Sequence, residues 1–263
     1  MARSSRINCT FCGQRKAGSD EHVISQWVRE RLQITSPVTT LVQPSGEQHV
    51  DPFWTVKLRR TVCEDCNNGW MHELEDKVSP FLEPMLVHER SIDLDAAQQR
   101  DLARWSVMKL LLLELAMRQQ HPRRRPTRGY SPSEVELAWL YGKDDPPPRC
   151  RVWLGAFDGQ NRQAGTTQAR LFPLAAADGT LLPAHVTTLT IGQVLFQAFT
   201  LDFVAADQHQ APAFDTHPPE PFARALTRIW PIEQQTVRWP QGYYITPDIF
   251  GRVVTWELRR PGE

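Results

Sequence analysis

The sequence predicts an α+β fold in two parts, and three patterns along the chain support this prediction. Two Cys-x-x-Cys pairs lie within the first 66 residues. A long helical periodicity follows between Asp95 and Arg118. Beyond Cys150, short segments rich in β-branched and aromatic residues are separated by glycines, which is typical of an antiparallel sheet. We therefore expect a first domain over residues 1–84 and a second, helix-plus-sheet domain over residues 85–263.

The composition is that of a soluble globular protein. The 263 residues are 41% hydrophobic and 23% charged, and the formal net charge is zero. A neutral chain has no overall field that attracts nucleic acid, so any such binding must come from a local patch. Four of the five cysteines lie in the two pairs, which argues against a disulfide framework and favours a reducing compartment.

Targeting and membrane signals are weak in this chain. Residues 1–6 are basic but lack an apolar run behind them, so we expect no secretory signal. The apolar stretch Val107–Met117 contains Lys109 and Glu114 and is too short to cross a bilayer. The sequence predicts a cytoplasmic protein without a membrane segment.

Four cysteines have the spacing of a zinc site. They are Cys9, Cys12, Cys63 and Cys66. Each pair places two thiolates on one tight turn, and two such knuckles supply the tetrahedral soft-ligand set that Zn2+ accepts. A redox role fits less well, because no thioredoxin-like βαβ pattern surrounds either pair. With four protein ligands the zinc would be structural, and it would draw the first knuckle to the second.

The elements around the knuckles are short. Apolar residues recur at helical spacing directly after His22, at Ile24, Trp27, Val28 and Leu32. Residues 53–62 alternate between apolar and polar side chains and predict a strand that leads into the second knuckle. Trp70, Leu74 and Val78 then repeat every four residues and predict a helix that ends at Pro80.

The second part opens with the strongest helix signal. Asp95 and Gln98 have the spacing of a capping box, and the following apolar residues form one stripe: Leu102, Trp105, Met108, Leu112 and Leu115. A second helix is predicted over residues 132–141. Strands are predicted over residues 151–157, 169–174, 185–191 and 194–204, with a loop over 205–221.

Chemistry is expected beside the knuckles. Zinc closure would bring Glu21 and His22 close to Asn67 and Asn68. A carboxylate and side-chain amides supply hard oxygen ligands, which suit Mg2+ or Mn2+. An imidazole beside them could take a proton from water. The alternative is a structural histidine, which is the common role of a single histidine on a strand.

These motifs together resemble a known enzyme family. Cys9-x-x-Cys12, then Glu21-His22 and two aliphatic residues, then Cys63-x-x-Cys66-Asn67 resembles the zinc-knuckle form of the HNH endonucleases, whose fold is a ββα-metal finger. Trp27, the run Asn68-Gly69-Trp70-Met71 and Leu74-Glu75 resemble a group of bacterial HNH endonucleases more narrowly. The matching motifs cover residues 9–75.

The resemblance implies a metal-dependent hydrolysis of phosphodiester bonds in DNA. By position, His22 corresponds to the general base, and Glu21 and Asn67 to the ligands of one Mg2+ or Mn2+ ion. That ion would stabilise charge on the leaving 3′ oxygen. Asn68 is a further candidate for the catalytic site.

Three positions differ from the family pattern. Glu21 stands where aspartate is commoner, and Ser25 stands where proline is frequent. The family's central asparagine, which orients the histidine loop, has no counterpart in residues 58–62, so Asn68 and His72 are the candidates to replace it. The alternative functions are a zinc-stapled nucleic-acid-binding or interaction module without catalysis, and a purely structural zinc domain.

Two groups of basic residues are candidates for contact with nucleic acid, either DNA or RNA. The first group is on the predicted strand before the second knuckle: Lys57, Arg59 and Arg60. The second group is Arg123, Arg124 and Arg125, for which a solvated loop is the alternative. Either group could neutralise phosphates without reading sequence.

Overall fold

The computed structural model describes residues 8–34, 39–42, 48–51, 57–88, 90–120, 134–158, 165–211, 218 and 222–246. The N-terminal elements are β1 (Ser19–His22), α1 (Gln26–Arg31), β2 (Thr39–Val42), β3 (Gln48–Asp51), β4 (Lys57–Val62), α2 (Glu64–Cys66), a π-helical turn (Asn67–Met71) and α3 (His72–Leu86). The next elements are β5 (Ile92–Asp95), α4 (Ala96–Gln120), α5 (Glu134–Gly142), β6 (Arg151–Phe157), β7 (Gly165–Ala175) and β8 (Leu181–Ile191). The last are β9 (Val194–Leu201), α6 (Phe203–Gln208), a 3-10 turn (Phe222–Arg224), β10 (Leu226–Trp230), β11 (Thr236–Trp239) and β12 (Tyr244–Ile245). This mixture confirms the predicted α+β class.

The N-terminal part contains an antiparallel pair, β1 and β4, and β4 leads into α2 and α3. β1 pairs with β4, so that Glu21 lies opposite Leu58 and His22 opposite Lys57. A bulge interrupts this ladder, and there Arg60 takes a positive φ of 52°. β2 and β3 form a separate antiparallel pair. The strand predicted over residues 53–62 is described from Lys57 onward, and residues 52–56 lie outside the described part of the chain.

Helix α3 continues past the residue at which the sequence predicts its end. It contains both Pro80 and Pro84 and ends at Leu86. A proline inside a helix removes one backbone hydrogen bond and crowds the preceding turn. The last turns nevertheless bury Leu82 and Leu86 completely, and this burial outweighs the local cost. The predicted stop at Pro80 is therefore wrong.

Helix α4 begins at the predicted capping box. The Asp95 N–H donates to Gln98 Oε1 at 3.0 Å, and the Gln98 N–H donates to Asp95 Oδ1 at 2.8 Å. Every side chain from Leu102 to Leu113 is buried, so the single predicted stripe is too narrow. The helix is enclosed because it packs against α3 and β4 as well as against β6, β8, β9 and β10.

The C-terminal part is built on a six-stranded mixed sheet. Its order is β10-β6-β9-β8-β7, and neighbouring strands along this path are antiparallel. β12 follows β10 along the same edge of β6 but runs parallel to it. The predicted antiparallel sheet is therefore right for five strands and wrong for β12, whose two residues are too short for a sequence pattern. β5 and β11 form another antiparallel pair.

Strand β9 ends earlier than predicted. It stops at Leu201 because the Asp202 side chain accepts a hydrogen bond from the Ala205 N–H at 2.9 Å and caps α6. The predicted continuation to residue 204 and the predicted loop from residue 205 are therefore wrong over α6. Elsewhere the predicted segments lie within β6, β7 and β8.

A shared core joins the two parts. One cluster of buried side chains includes Leu58 of β4, Leu74 of α3, Trp105 of α4 and Phe196 of β9. A second cluster lies on the other side of the sheet under α6. At the β8–β9 turn, Gly192 has a positive φ of 57°, and a Cβ there would lie 2.2 Å from the Leu86 carbonyl oxygen. The core thus includes residues from both sides of position 84, and the domain boundary there stays a prediction.

Among the described residues, no helix combines the length and the apolar character that a bilayer crossing requires.

Candidate functional site

Four cysteines converge as the sequence predicts. The Sγ atoms of Cys9, Cys12, Cys63 and Cys66 all lie within 4.8 Å of one another. Cys12 Sγ lies 3.8 Å from Cys63 Sγ. Tetrahedral zinc with Zn–S bonds of about 2.3 Å separates its sulfurs by about 3.8 Å, so the cluster fits a structural Zn2+. Within the described ranges, no other group of three or more His, Cys, Asp or Glu side chains meets the same distance criterion.

Backbone turns position the two cysteine pairs. The first pair lies on a turn closed by the Gly13 N–H, which donates to the Cys9 carbonyl at 2.9 Å. Cys63 caps α2, and its Sγ accepts from the Cys66 N–H at 3.4 Å. The Thr10 N–H donates to the Thr61 carbonyl of β4 at 3.0 Å, which fastens the first turn to the strand that precedes the second.

The thiols differ in their electrostatic surroundings. Burial raises the pKa of both Cys63 and Cys66. Burial acts in the same direction on Cys12, but hydrogen bonds from the Gln14 and Arg15 backbone outweigh it and lower the Cys12 pKa to about 7. The described cysteines are all free thiols, so none of the four ligands is used in a disulfide.

An open cleft lies beside the cysteine cluster, between the end of β1, the start of α1 and the start of α3. Its volume is about 420 Å³. It is lined by Glu21, His22, Ser25, Gln26, Asn67, Asn68, Met71, His72 and Glu75. The four residues predicted from the sequence to lie together, Glu21, His22, Asn67 and Asn68, thus share one cleft, while their roles stay predictions.

A π-helical turn presents the two asparagines. Residues 67–71 form this turn directly after Cys66, and Gly69 within it departs from helical geometry with φ −96° and ψ −115°. A π turn is wider than an α turn and often marks a functional position. Here it places Asn67 and Asn68 in the lining of the cleft, together with His72 and Glu75 of α3. The Asn67 side chain is hydrogen-bonded to the Glu21 carboxylate.

Two carboxylates that line the cleft, together with one buried lysine behind them, form a charged group that we call the cleft floor. Lys109 of α4 is completely buried, with its Nζ 2.5 Å from Glu75 Oε1 and 3.9 Å from Glu21 Oε1. The Ser25 hydroxyl also donates to Glu75 Oε1, at 2.5 Å. Burial opposes ionisation of Glu75, but the charge of Lys109, with the bonds from Lys109 and Ser25, holds its pKa below the usual value.

The negative charge of Glu21 is less well neutralised by Lys109 than that of Glu75. Burial raises its pKa to about 7, with Lys109 opposing the rise and the charge of Glu75 adding to it. The side chain is 11% exposed and lines the open cleft. A divalent cation arriving from solvent would supply the positive charge that this carboxylate lacks.

His22 lies in positive surroundings. Burial is the main cause that lowers the pKa of His22, and the positive charges of Lys57, Arg29 and Lys109 lower it further. The imidazole is therefore neutral near pH 7, as a proton acceptor must be. The second cleft histidine, His72, has a side chain that is 65% exposed and lies 3.6 Å from Asp76.

The predicted basic residues divide into two groups. Lys57, Arg59 and Arg60 are exposed on β4, the strand that pairs with the Glu21–His22 strand. Arg123, Arg124 and Arg125 lie outside the residues that the structure describes.

Sequence reasoning missed two residues of α4. Lys109 was visible only as a charge within an apolar stretch, although its place four residues after Trp105 and three before Leu112 puts it on the predicted core stripe. Gln119 bonds the β4 bulge: its Nε2 donates to the Arg59 carbonyl at 3.0 Å, and its Oε1 accepts from the Arg59 N–H at 3.2 Å. No sequence signal links position 119 to a strand sixty residues earlier.

The oxygen donors of Glu21 and Asn67 are the candidates to hold a divalent ion. They are adjacent, hydrogen-bonded and open to the cleft, and they are hard ligands of the type that Mg2+ and Mn2+ prefer. Two protein ligands would suffice, because Mg2+ usually keeps several of its waters. Comparison of the chain with protein-family models, with curated proteins and with solved structures found no match.

Proposed function

We propose that this chain is a metal-dependent endonuclease of the HNH type that hydrolyses phosphodiester bonds in DNA. The supporting observation is that one open cleft brings a neutral imidazole, His22, together with the paired oxygen donors of Glu21 and Asn67. One cysteine pair precedes Glu21 and His22 in the sequence, and the other directly precedes Asn67. A zinc ion bound by all four cysteines would hold these two segments together.

Each group has a separate task in this mechanism. His22 accepts a proton from the attacking water. Glu21 and Asn67 would hold Mg2+ or Mn2+, which supplies charge stabilisation at the scissile phosphate and the leaving 3′ oxygen. The cleft is open, so a phosphodiester on the surface of a nucleic acid can reach the imidazole without entering a closed cavity.

Positive charge beside the cleft supports a polyanionic substrate. Lys57 lies directly across the β ladder from His22, and Arg29 of α1 acts on the same imidazole. Arg59 and Arg60 continue the exposed basic strand. Such a strip neutralises backbone phosphates and carries no base-specific code.

The metal-ligand assignment predicts that Glu21→Gln lowers Mg2+- or Mn2+-dependent cleavage of supercoiled plasmid at least about tenfold, because the neutral amide binds a hard cation more weakly than a carboxylate. The loss should be partly overcome by raising the Mn2+ concentration. Glu134→Gln, at an exposed glutamate of α5, is the matched control and should cleave like the wild type.

Two results would contradict the proposal. Cleavage that persists in the presence of EDTA and in the Glu21→Gln variant would exclude a metal ion held by Glu21 from the reaction. Retained DNA binding without cleavage under Mg2+, Mn2+ or Ca2+ would instead favour the non-catalytic binding module.

The basic strip predicts a specific salt response. Lys57→Ala should weaken DNA binding about equally for all sequences and lower the slope of log Kd against log salt concentration by about 1, since one phosphate contact is lost. Fluorescence anisotropy in the His22→Ala background measures this without cleavage. Lys143→Ala, at an exposed lysine after α5, should leave the slope unchanged, and an unchanged slope for Lys57→Ala would exclude its phosphate contact.

A further inference from the structure

The two carboxylates of the cleft have unequal partners. Glu75 Oε1 is contacted by Lys109 Nζ at 2.5 Å and by the Ser25 hydroxyl at 2.5 Å. Glu21 Oε1 lies 3.9 Å from the same ammonium and is hydrogen-bonded by the Asn67 side chain. Glu75 Oε1 thus has two close partners, an ammonium and a hydroxyl, whereas Glu21 Oε1 lies beyond hydrogen-bond distance of the same ammonium.

Lys109 has no route to solvent that would release Glu75. Its side chain is 0% exposed and lies over the Trp105 ring, with Nζ 5.9 Å from the ring centroid. It extends from the interior of α4, whose neighbouring side chains are buried on all sides. A buried ammonium without a counter-charge is costly, so Lys109 is held between the two carboxylates.

We propose that Lys109 is a positioning residue that keeps Glu75 out of the metal ligand set, so that the cleft binds one divalent cation through Glu21 and Asn67. This inference rests on the proposed function and extends it to α4, a helix to which the sequence assigns no role. Lys109 acts as a resident cation that occupies the second carboxylate.

The summed charge of the cleft floor differs between the wild type and the variants of Lys109 and Glu75. With both carboxylates ionised, as they are when a cation is bound, Glu21, Glu75 and Lys109 have a summed formal charge of −1 in the wild type. Lys109→Met removes the cation and frees Glu75, which gives −2, whereas Glu75→Gln leaves the ammonium facing Glu21 and gives zero. The double substitution returns the floor to −1 with Glu21 as its carboxylate.

Divalent cation affinity should follow this order, because the charges that change lie on side chains that are mostly buried, where water screens them little. We expect Lys109→Met to bind Mn2+ at least about tenfold more tightly than the wild type and Glu75→Gln at least about tenfold more weakly. The double variant Lys109→Met/Glu75→Gln should lie within about threefold of the wild type. Electron paramagnetic resonance of free Mn2+, titrated with full-length zinc-loaded protein, measures each Kd.

The matched variants keep the test decisive. If Lys109→Met does not fold, Glu75→Gln and the double variant still give the predicted weak and restored affinities. Equal Kd values in all folded variants, or a double variant as tight as Lys109→Met, would overturn the role of Lys109.

A last comparison separates this inference from the proposed function. Wild-type protein whose Mn2+ binding is absent or insensitive to Glu21→Gln would overturn both. Wild-type protein that binds Mn2+ through Glu21 and cleaves DNA, but whose variants do not follow the charge order, would overturn the role of Lys109 alone.

Discussion

Replacement of His22 with alanine should reduce the rate of DNA cleavage by roughly 10² to 10⁴-fold at saturating Mg2+, since a positioned general base contributes about this factor. His22 ends β1 at the cleft, and its imidazole is neutral because burial and the charges of Lys57 and Arg29 lower its pKa. Alanine removes the proton acceptor and leaves Glu21, Asn67 and the cysteine cluster in place. DNA affinity, zinc content and Mn2+ affinity should therefore change little.

Single-turnover cleavage of a plasmid or a labelled duplex measures this effect on the chemical step. His209→Ala is the matched control, because His209 pairs with Asp178 outside the cleft, and its loss should leave the rate unchanged. Added imidazole should restore part of the rate to His22→Ala, since the small base can enter the open cleft.

If His22→Ala still cleaves DNA, the second histidine of the cleft is the next candidate for the general base. His72 shares the cleft but is mostly exposed and paired with Asp76. A rate that collapses in His72→Ala and persists in His22→Ala would transfer the base role to His72. A rate that persists in both variants would exclude histidine as the base.

Local patterns predicted the parts of the site that depend on short-range chemistry. The knuckle spacing places four sulfurs on two turns, and the turns meet because β4 leads into the second turn while the Thr61 carbonyl of β4 accepts the Thr10 N–H of the first. The Asp95–Gln98 capping box fixes the start of α4 because both hydrogen bonds lie within one turn of the chain. In such cases the signal and the structure involve the same few residues.

Long-range partners could not be predicted in the same way. A lysine in an apolar stripe indicates a buried charge, but only the packing of α4 on α3 and on the β1–β4 pair identifies Glu75 and Glu21 as its partners. The Gln119 side-chain amide makes the two backbone hydrogen bonds with Arg59 that a neighbouring strand would otherwise make. This contact depends on where the end of α4 meets the β4 bulge. The stop predicted at Pro80 failed for a related reason, since burial of Leu82 and Leu86 outweighs the local preference of proline.

The candidate site draws on both regions of the chain. The ligand candidates come from residues 21 and 67, close to the knuckles, whereas the charge that governs them comes from α4. Helix α4 therefore contributes to the cleft electrostatically as well as by packing. We therefore expect a substitution in α4 to alter cation binding without touching either ligand candidate.

Cys63→Ser should remove about one equivalent of zinc and unfold the N-terminal region, because metal binding to a four-cysteine site supplies folding free energy, on the order of 10 kcal/mol in small zinc domains. Cys63 is both a ligand candidate and the cap of α2, so its loss also releases the start of α2, which leads into the turn that carries Asn67. Glu21 and Asn67 would then separate, and cleavage should fall to background.

Zinc quantification together with hydrogen–deuterium exchange tests this expectation by region. Exchange protection should be lost over residues 8–34 and 57–71, while α4 and the strands β6, β8 and β9 keep theirs, since their core cluster is formed largely by sheet and helix side chains. Cys150→Ala is the matched control: Cys150 is buried but does not belong to the four-sulfur cluster, so zinc content should stay at one equivalent. Full protection of residues 8–34 in metal-free protein would mean that packing of Val28 and Leu58 on α3 and α4 suffices, and that the cysteines are not a structural zinc site.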